Sequence, residues 1–281
     1  MIVARTRAEL ARALSATRAG GRALGLVPTM GYLHDGHLSL VDEARARADR
    51  VAATVFVNPL QFGPGEDLAT YPRAPERDLA LLEARGADLV FLPPVEEMFP
   101  AGEPTITVDP GPGADRLCGA FRPGHFRGVL TIVAKLFGLF RPEVAVFGRK
   151  DFQQLVLIRR LAGDLDLGVD VVGAPIVREP DGLAMSSRNS YLSGAERQTA
   201  PTLQRALARA GERFRAGERS ARVLVDAVRA EVAGEALLEL QYVELVDPAS
   251  LAAVDPAAPG AVLALAAFCG RTRLIDNVTL E

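Results

Sequence analysis

Five short apolar runs alternate with helical patterns through the first two thirds of the chain, and this alternation restricts the fold more than any other feature. Residues 24–27 are followed by a helical pattern near 37–49, and 51–57 by another at 75–85. Residues 89–92 precede a helical pattern at 128–140, 144–147 precede one at 152–162, and 169–172 close the series. Strands that are apolar at every position are covered on both faces, and helices between them return the chain to the same edge, so a parallel sheet is predicted. Its crossovers are right-handed, and its ligands bind beyond the carboxyl ends of the strands. The turns that matter therefore follow strands, at residues 28–37, 58–65, 148–154 and 176–188. Past Tyr191 the texture changes. Two Ala/Arg-rich helical patterns, 195–217 and 220–232, lead to strand-like runs at 238–246, 261–268 and 272–278. This predicts a smaller α+β domain, with a boundary near Pro175 that divides the chain into residues 1–175 and 176–281.

Composition narrows the partners. The 281 residues carry 32 basic and 35 acidic side chains, a net charge of -3, which gives no general attraction to nucleic acid or an anionic membrane. Arginines alternate with acids in helical stretches such as 42–50 and read as solvated faces. The longest apolar stretch, 261–269, is too short to span a bilayer. The first seven residues lack the apolar core of a signal segment, and two cysteines, Cys118 and Cys269, make no Cys-x-x-Cys pair. A cytoplasmic protein with reduced thiols is expected.

Four clusters carry chemistry. Two of the three histidines, His34 and His37, flank Gly36 in a turn between an apolar run and a helix. Three residues apart on a helical turn, they share a side, and the helix start adds free N–H groups and a positive dipole end. A phosphate site follows, without the Gly-Lys-Ser/Thr ending of a P-loop. Zinc fits poorly, because helical zinc pairs sit four apart with a further ligand. The second cluster, Gly148-Arg149-Lys150-Asp151, follows a strand, where the Lys150 ammonium reaches a phosphate; Asp151 caps the helix, holds a ribose or orients Lys150, and Gln154 offers an amide one turn on. Third, Met185-Ser186-Ser187-Arg188 offers two hydroxyls and a guanidinium to phosphate oxygens, on a loop expected to close over its ligand. Fourth, Asn58-Pro59-Leu60-Gln61 ends a strand with an uncharged amide among apolar residues. Taken singly, each is as compatible with an ordinary turn or cap. Together, a His-x-x-His turn after the first strand, a lysine after the fourth and a Ser-Ser-Arg loop after the fifth meet at one sheet edge, which suits attack of an oxygen nucleophile on the α-phosphorus of a nucleotide.

These residues resemble one family along nearly the whole chain: pantothenate synthetase, the pantoate–β-alanine ligases. The resemblance rests on residues 28–40, on FVNPLQFGPG at 56–65, LCGAFRPGHFRG at 117–128, FGRKDFQQ at 147–154, DGLAMSSRNSYL at 181–192 and TRLIDNV from Thr272. It implies a Rossmann-like nucleotidyltransferase domain with a smaller C-terminal lid domain, and usually a homodimer. It also implies a two-step reaction, in which pantoate attacks ATP with Mg²⁺ to give pantoyl adenylate and pyrophosphate, and β-alanine then displaces AMP. By the same resemblance His37 is the proton donor during adenylation and His34 contacts the phosphates beside it. Met30 and Gly31 line the ATP site, Lys150 holds phosphate oxygens, Gly148, Arg149 and Asp151 lie against the nucleotide, and Val177 touches adenine. Met185, Ser186, Ser187 and Arg188 close on the phosphates, while Gln61 and Gln154 clasp pantoate. Arg149 stands where the family commonly has Glu or Gln, and Phe121 where it commonly has a small residue. Two other readings compete: an adenylyltransferase of the same superfamily with a phosphorylated acceptor, and a nucleotide-sensing module without turnover. The uncharged run around Gln61 speaks against the former, and the presence of His37 and Lys150 against the latter.

Overall fold

The computed structural model describes all 281 residues. Six strands form the larger sheet: β1 (Ile2–Ala4), β2 (Leu24–Thr29), β3 (Arg50–Val55), β4 (Leu89–Phe91), β5 (Val144–Gly148) and β6 (Asp170–Ala174). They pair in the order β1-β4-β3-β2-β5-β6, all parallel. The central strands are apolar throughout because both faces are covered: Leu24, Leu26, Val27, Ala52, Ala53 and Val146 are fully excluded from solvent. The helices that follow in the chain are α1 (Arg7–Thr17), α2 (Asp35–Arg45), α3 (Pro75–Ala84), α4 (Val95–Met98), α5 (Cys118–Phe121), α6 (His125–Phe140) and α7 (Phe152–Asp164). From β2 the chain winds one way through β3 and β4, then returns to place β5 on the other side of β2. The carboxyl ends of β2 and β5 thus mark the point where the strand order reverses, the position at which such sheets bind ligands.

The expected parallel sheet is present with one strand more than anticipated. The sequence reading missed β1 and α1. β1 has only three residues, at the sheet edge, with Ile2 and Val3 exposed, so it has no long apolar run. The start of α1 is a capping box: Glu9 N donates to Thr6 Oγ1 at 3.2 Å, and Thr6 N to Glu9 Oε2 at 3.1 Å. The informative turns therefore follow the second, fifth and sixth strands rather than the first, fourth and fifth. α2 begins at Asp35, two residues before the expected start.

By its contacts the chain divides into two compact units. The first comprises Met1–Gly111, Arg122–Arg149 and Leu157–Pro175, and the second Pro112–Phe121, Lys150–Val156 and Ile176–Glu281. In the second unit the single helix expected at 195–217 is two, α8 (Gly194–Thr199) and α9 (Thr202–Arg215), because Pro201 lacks the N–H that would continue it. α10 (Ala221–Ala233) and the antiparallel sheet β7 (Leu238–Val246), β8 (Val262–Cys269) and β9 (Thr272–Thr279) complete this unit. Leu203, Ala206, Leu207, Ala210 and Phe214 of α9 recur at helical spacing and share a core with Leu224, Val228 and Val232 of α10 and with Leu263 and Leu265 of β8. No helix is long and apolar enough to cross a membrane.

One close approach within the first unit fixes the ground under the candidate site. A Cβ on Gly128 of α6 would lie 2.1 Å from the carbonyl oxygen of Leu60 and 2.7 Å from Gln61 N, so α6 reaches the 3-10 turn Pro59–Gln61 only because residue 128 has no side chain. Backbone cannot yield here as a flexible side chain would. Gly128→Ala is expected to cost about 3 kcal/mol in urea unfolding; a loss below about 0.5 kcal/mol, the scale of a neutral surface change, would mean that α6 does not press on this turn.

Candidate active site

The turn after β2 is built on a buried carboxylate. Gly31 has φ +87°, and a Cβ there would meet Val55 Cγ1 at 2.9 Å and Asp78 Oδ2 at 3.0 Å. Tyr32 is also left-handed, with φ 52°, a conformation that costs a non-glycine residue about 1 kcal/mol or more. Asp78 of α3, 1 % exposed, offsets that cost: its Oδ2 accepts from Tyr32 N at 2.7 Å and its Oδ1 from Leu33 N at 2.8 Å. Gly31 N donates to Thr29 Oγ1 at 3.2 Å, and that hydroxyl donates to Thr54 O at 2.6 Å, which ties the turn to β3.

His34 is the N-cap of α2, and the two histidines form a capping box from imidazoles instead of a hydroxyl and a carboxylate. His34 Nδ1 accepts from Gly36 N at 3.1 Å, and His37 Nδ1 faces the donor His34 N at 3.4 Å. The ring centroids are 4.1 Å apart. A neutral imidazole whose Nδ1 accepts carries its proton on Nε2. In that form both rings present Nε2–H, oriented by backbone, at a helix start where an anion is favoured. Met30, one residue before Gly31, meets the next turn: Gln61 Nε2 donates to Met30 Sδ at 3.3 Å. Asn58, 2 % exposed, donates to Gln61 Oε1 at 3.0 Å and to Gly128 O at 3.2 Å, while its Oδ1 accepts from Leu60 N at 3.3 Å. The Gln61 amide is held by neutral partners only.

Below that turn lies a second polar group. Arg122 forks onto Glu66, with Nε to Oε1 at 2.7 Å and Nη2 to Oε2 at 2.6 Å. Burial acts to raise the Glu66 carboxyl, but the Arg122 hydrogen bonds and charge, with the Gly63 backbone and the His125 ring, hold the group below the usual carboxylate value. His125 Nδ1 lies 2.8 Å from Gln61 O, and Arg122 Nη1 3.0 Å from His125 Nε2.

At the end of β5, Gly148 pairs with Ala174 of β6, and Arg149 Nε donates to Gly173 O at 2.9 Å. Arg149 thus bonds the neighbouring strand through its Nε. Lys150, exposed Asp151 and half-buried Gln154 belong to the second unit, as do Val177 and residues 185–188. Lys150 O accepts from Asn277 Nδ2 at 3.0 Å, and Gln153, beside Gln154, is buried with its Nε2 on Gly113 O and Arg116 O.

The stretch 177–185, which leads into the Met185–Arg188 cluster, is a hairpin. Met185 N donates to Val177 O at 3.0 Å, Arg178 and Ala184 bridge, and Glu179 N donates to Leu183 O at 2.8 Å around a turn at Gly182. Arg178 clamps it by a two-point bond to Asp276 of β9, 4 % exposed, at 2.6 and 2.9 Å. Ser186 follows as cap of the 3-10 turn Ser187–Tyr191, its Oγ accepting from Arg188 N at 3.3 Å, and Ser187 is buried. The pairing arises because Pro180-Asp181-Gly182 is a turn sequence flanked by residues that find partners across it.

The sequence reading assigned no role to Asp78, Asn58, Arg122, His125, Asp276 or Asn277, which hold neighbouring backbone and side chains in place. Asp78 had a signal, since it lies four residues before Leu82 on the buried face of α3. His125 had another, as the third histidine of the chain inside a motif that carries the resemblance.

An open parallel sheet with a strand-order switch and a helix start bearing oriented donors defines an α/β enzyme of Rossmann-like architecture. The family model for pantoate–β-alanine ligase matches residues 2–279. Pantothenate synthetase 1 of Bradyrhizobium diazoefficiens is 52% identical over 275 residues, covering 98% of this chain and 96% of its own. The solved pantothenate synthetase of Thermus thermophilus superposes with a TM-score of 0.94 at 47% identity, over 100% of both chains. The pantoate–β-alanine ligase of Francisella tularensis, solved in complex with β-γ ATP and β-alanine, gives a TM-score of 0.80 at 30% identity, over 100% of this chain and 98% of its own. The chain belongs to the pantoate–β-alanine ligase family and is an amide-forming ligase.

The hydrogen bonds at both Nδ1 atoms predict that His34 and His37 are Nε2–H tautomers near neutral pH. Nitrogen-15 NMR of the imidazoles reads this directly; an Nδ1–H signal from either residue would remove the paired donors.

Proposed function

We propose that this chain joins pantoate to β-alanine in two steps through pantoyl adenylate. In the first, a pantoate carboxylate oxygen forms a bond to the α-phosphorus of ATP, and the bond to the β-phosphate oxygen breaks to release pyrophosphate. In the second, the amine of β-alanine bonds to the acyl carbon, the acyl–phosphate bond breaks, AMP leaves, and the nitrogen loses a proton to give pantothenate. The observation that carries this reading is the pair of backbone-oriented Nε2–H donors on His34 and His37 at the start of α2, beyond the carboxyl end of β2.

The chemistry requires what this chain offers. A carboxylate and a triphosphate repel one another, so donors and cations must screen them while an in-line geometry is held. His37 and His34 would donate to phosphate oxygens without adding a fixed negative charge, and Lys150 would supply a point positive charge as pyrophosphate departs. Ser186, Ser187 and Arg188 would bind phosphate oxygens, with Arg188 in a bidentate mode. Met30, Gly31, Gly148, Arg149, Asp151 and Val177 would line the nucleotide site. Gln61 and Gln154 would hold pantoate through neutral amides, which leave the attacking oxygen nucleophilic where a cationic clamp would dull it. No group of three or more His, Cys, Asp or Glu side chains is arranged to hold a metal ion. Mg²⁺ is read as part of the nucleotide substrate, carried on phosphate oxygens and water as is usual for that ion. The reading takes the protein as a cytoplasmic homodimer; sedimentation at the mass of one chain would reject the dimer.

Incubation with ATP, Mg²⁺ and pantoate is expected to release pyrophosphate without AMP turnover, and addition of β-alanine to release AMP and amide product. AMP formation that does not depend on β-alanine, or no pyrophosphate from pantoate, would reject the two-step reading. Lys150→Ala is expected to slow single-turnover pyrophosphate release by roughly 10²–10³, the loss typical of one preorganised charge stabiliser. Gln61→Ala is expected to raise KM for pantoate more than KM for ATP, and the reverse order would overturn that assignment.

A further inference from the structure

We propose that His125, held as a neutral Nδ1–H imidazole between Arg122 and the carbonyl of Gln61, is a positioning residue for the acid substrate. The inference rests on the reading that Gln61 binds pantoate. Two fixed neighbours specify its protonation state. Gln61 O, 2.8 Å from Nδ1, can only accept, so Nδ1 carries a proton. Arg122 Nη1, 3.0 Å from Nε2, can only donate, so Nε2 receives that bond on its lone pair. A second proton on Nε2 would set N–H against N–H and cation against cation. His125 is thus the opposite tautomer to His34 and His37, and the three histidines of the chain divide two to one.

Arg122 can play this part because it is itself immobilised. Its fork on Glu66 fixes the guanidinium plane, and Nη2 also reaches Gln61 O at 3.3 Å. The Phe126 ring packs edge-on against the imidazole at 4.8 Å. Three residues beyond His125, Gly128 lets α6 press on Leu60. The Gln61 carbonyl is therefore held by two donors while its side-chain amide is held by Asn58 and Met30. A residue fixed at both main chain and side chain presents its remaining bonding capacity in one direction, which is the condition for orienting a carboxylate in line with phosphorus.

The test is steady-state kinetics of His125→Ala, His125→Asn and Gln61→Ala, with nitrogen-15 NMR of the wild-type imidazoles. Loss of this half-buried hydrogen bond predicts that His125→Ala raises KM for pantoate about tenfold while KM for ATP stays within about twofold. His125→Asn places an amide N–H where Nδ1–H stood and is expected to recover KM for pantoate to within about threefold of wild type. NMR is expected to show His125 as Nδ1–H. An unchanged pantoate KM in His125→Ala, parallel rises for both substrates in both variants, or an Nε2–H signal from His125 would overturn the proposal. Should His125→Ala fail to fold, the KM split in His125→Asn and the wild-type tautomer decide the matter. If Gln61→Ala raises KM for pantoate and His125→Ala does not, only the positioning role falls; if Gln61→Ala leaves it unchanged, the Gln61 reading falls and this inference with it.

Discussion

A single buried carboxylate underlies the geometry of the first turn. Asp78 accepts from the backbone of Tyr32 and Leu33 and so offsets the strain of the left-handed Tyr32. The peptide that follows leads directly into His34, the cap of α2. The orientation of both imidazoles therefore depends on an acidic residue far away in sequence, on a different helix. Buried backbone donors paired to a carboxylate hold the turn against the entropy that an exposed loop of this composition would otherwise gain.

The same logic recurs at the second turn with different chemistry. Gln61 is fixed from three sides: Asn58 on its carbonyl oxygen Oε1, Met30 on its amide nitrogen, and His125 with Arg122 on its main-chain carbonyl. Only neutral groups touch the side-chain amide, and the formal charges of Arg122 and Glu66 are spent on each other. A rigid yet uncharged polar group is what the proposed acid substrate would need beside ATP. It is consistent with holding an acid that has to remain nucleophilic. In the second unit the closing motif has a comparable role, since Asp276 anchors the hairpin through Arg178 and Asn277 bonds the Lys150 carbonyl.

Much of the first unit was legible because its strands are apolar on both faces. Residues 24–27, 144–147 and 169–172 lie within or largely overlap β2, β5 and β6, and α3 begins at the expected Pro75. β1 was not legible: three residues at an edge, two of them exposed, carry no periodicity. The break at Pro201 was present in the sequence and was overridden by the strong helical pattern on either side. The strand-like pairing of 177–185 was not legible, because it consists of few residues and depends on a distant partner, Asp276, which no local pattern reveals.

Sequence alone determined the kind of layer the chain builds, the turns that carry reactive side chains, and the family to which those motifs point. Each is a local property, set by apolar periodicity or by short runs of particular residue types. Tertiary structure alone decided which donors and acceptors face the three imidazoles, and the role of Asp78 in holding the first turn. It also decided that Gly128 must lack a side chain and that Arg149 bonds the neighbouring strand. Those outcomes depend on which donor faces which acceptor across long sequence separations, and hydrogen-bond direction is a property of assembled neighbours rather than of any segment by itself.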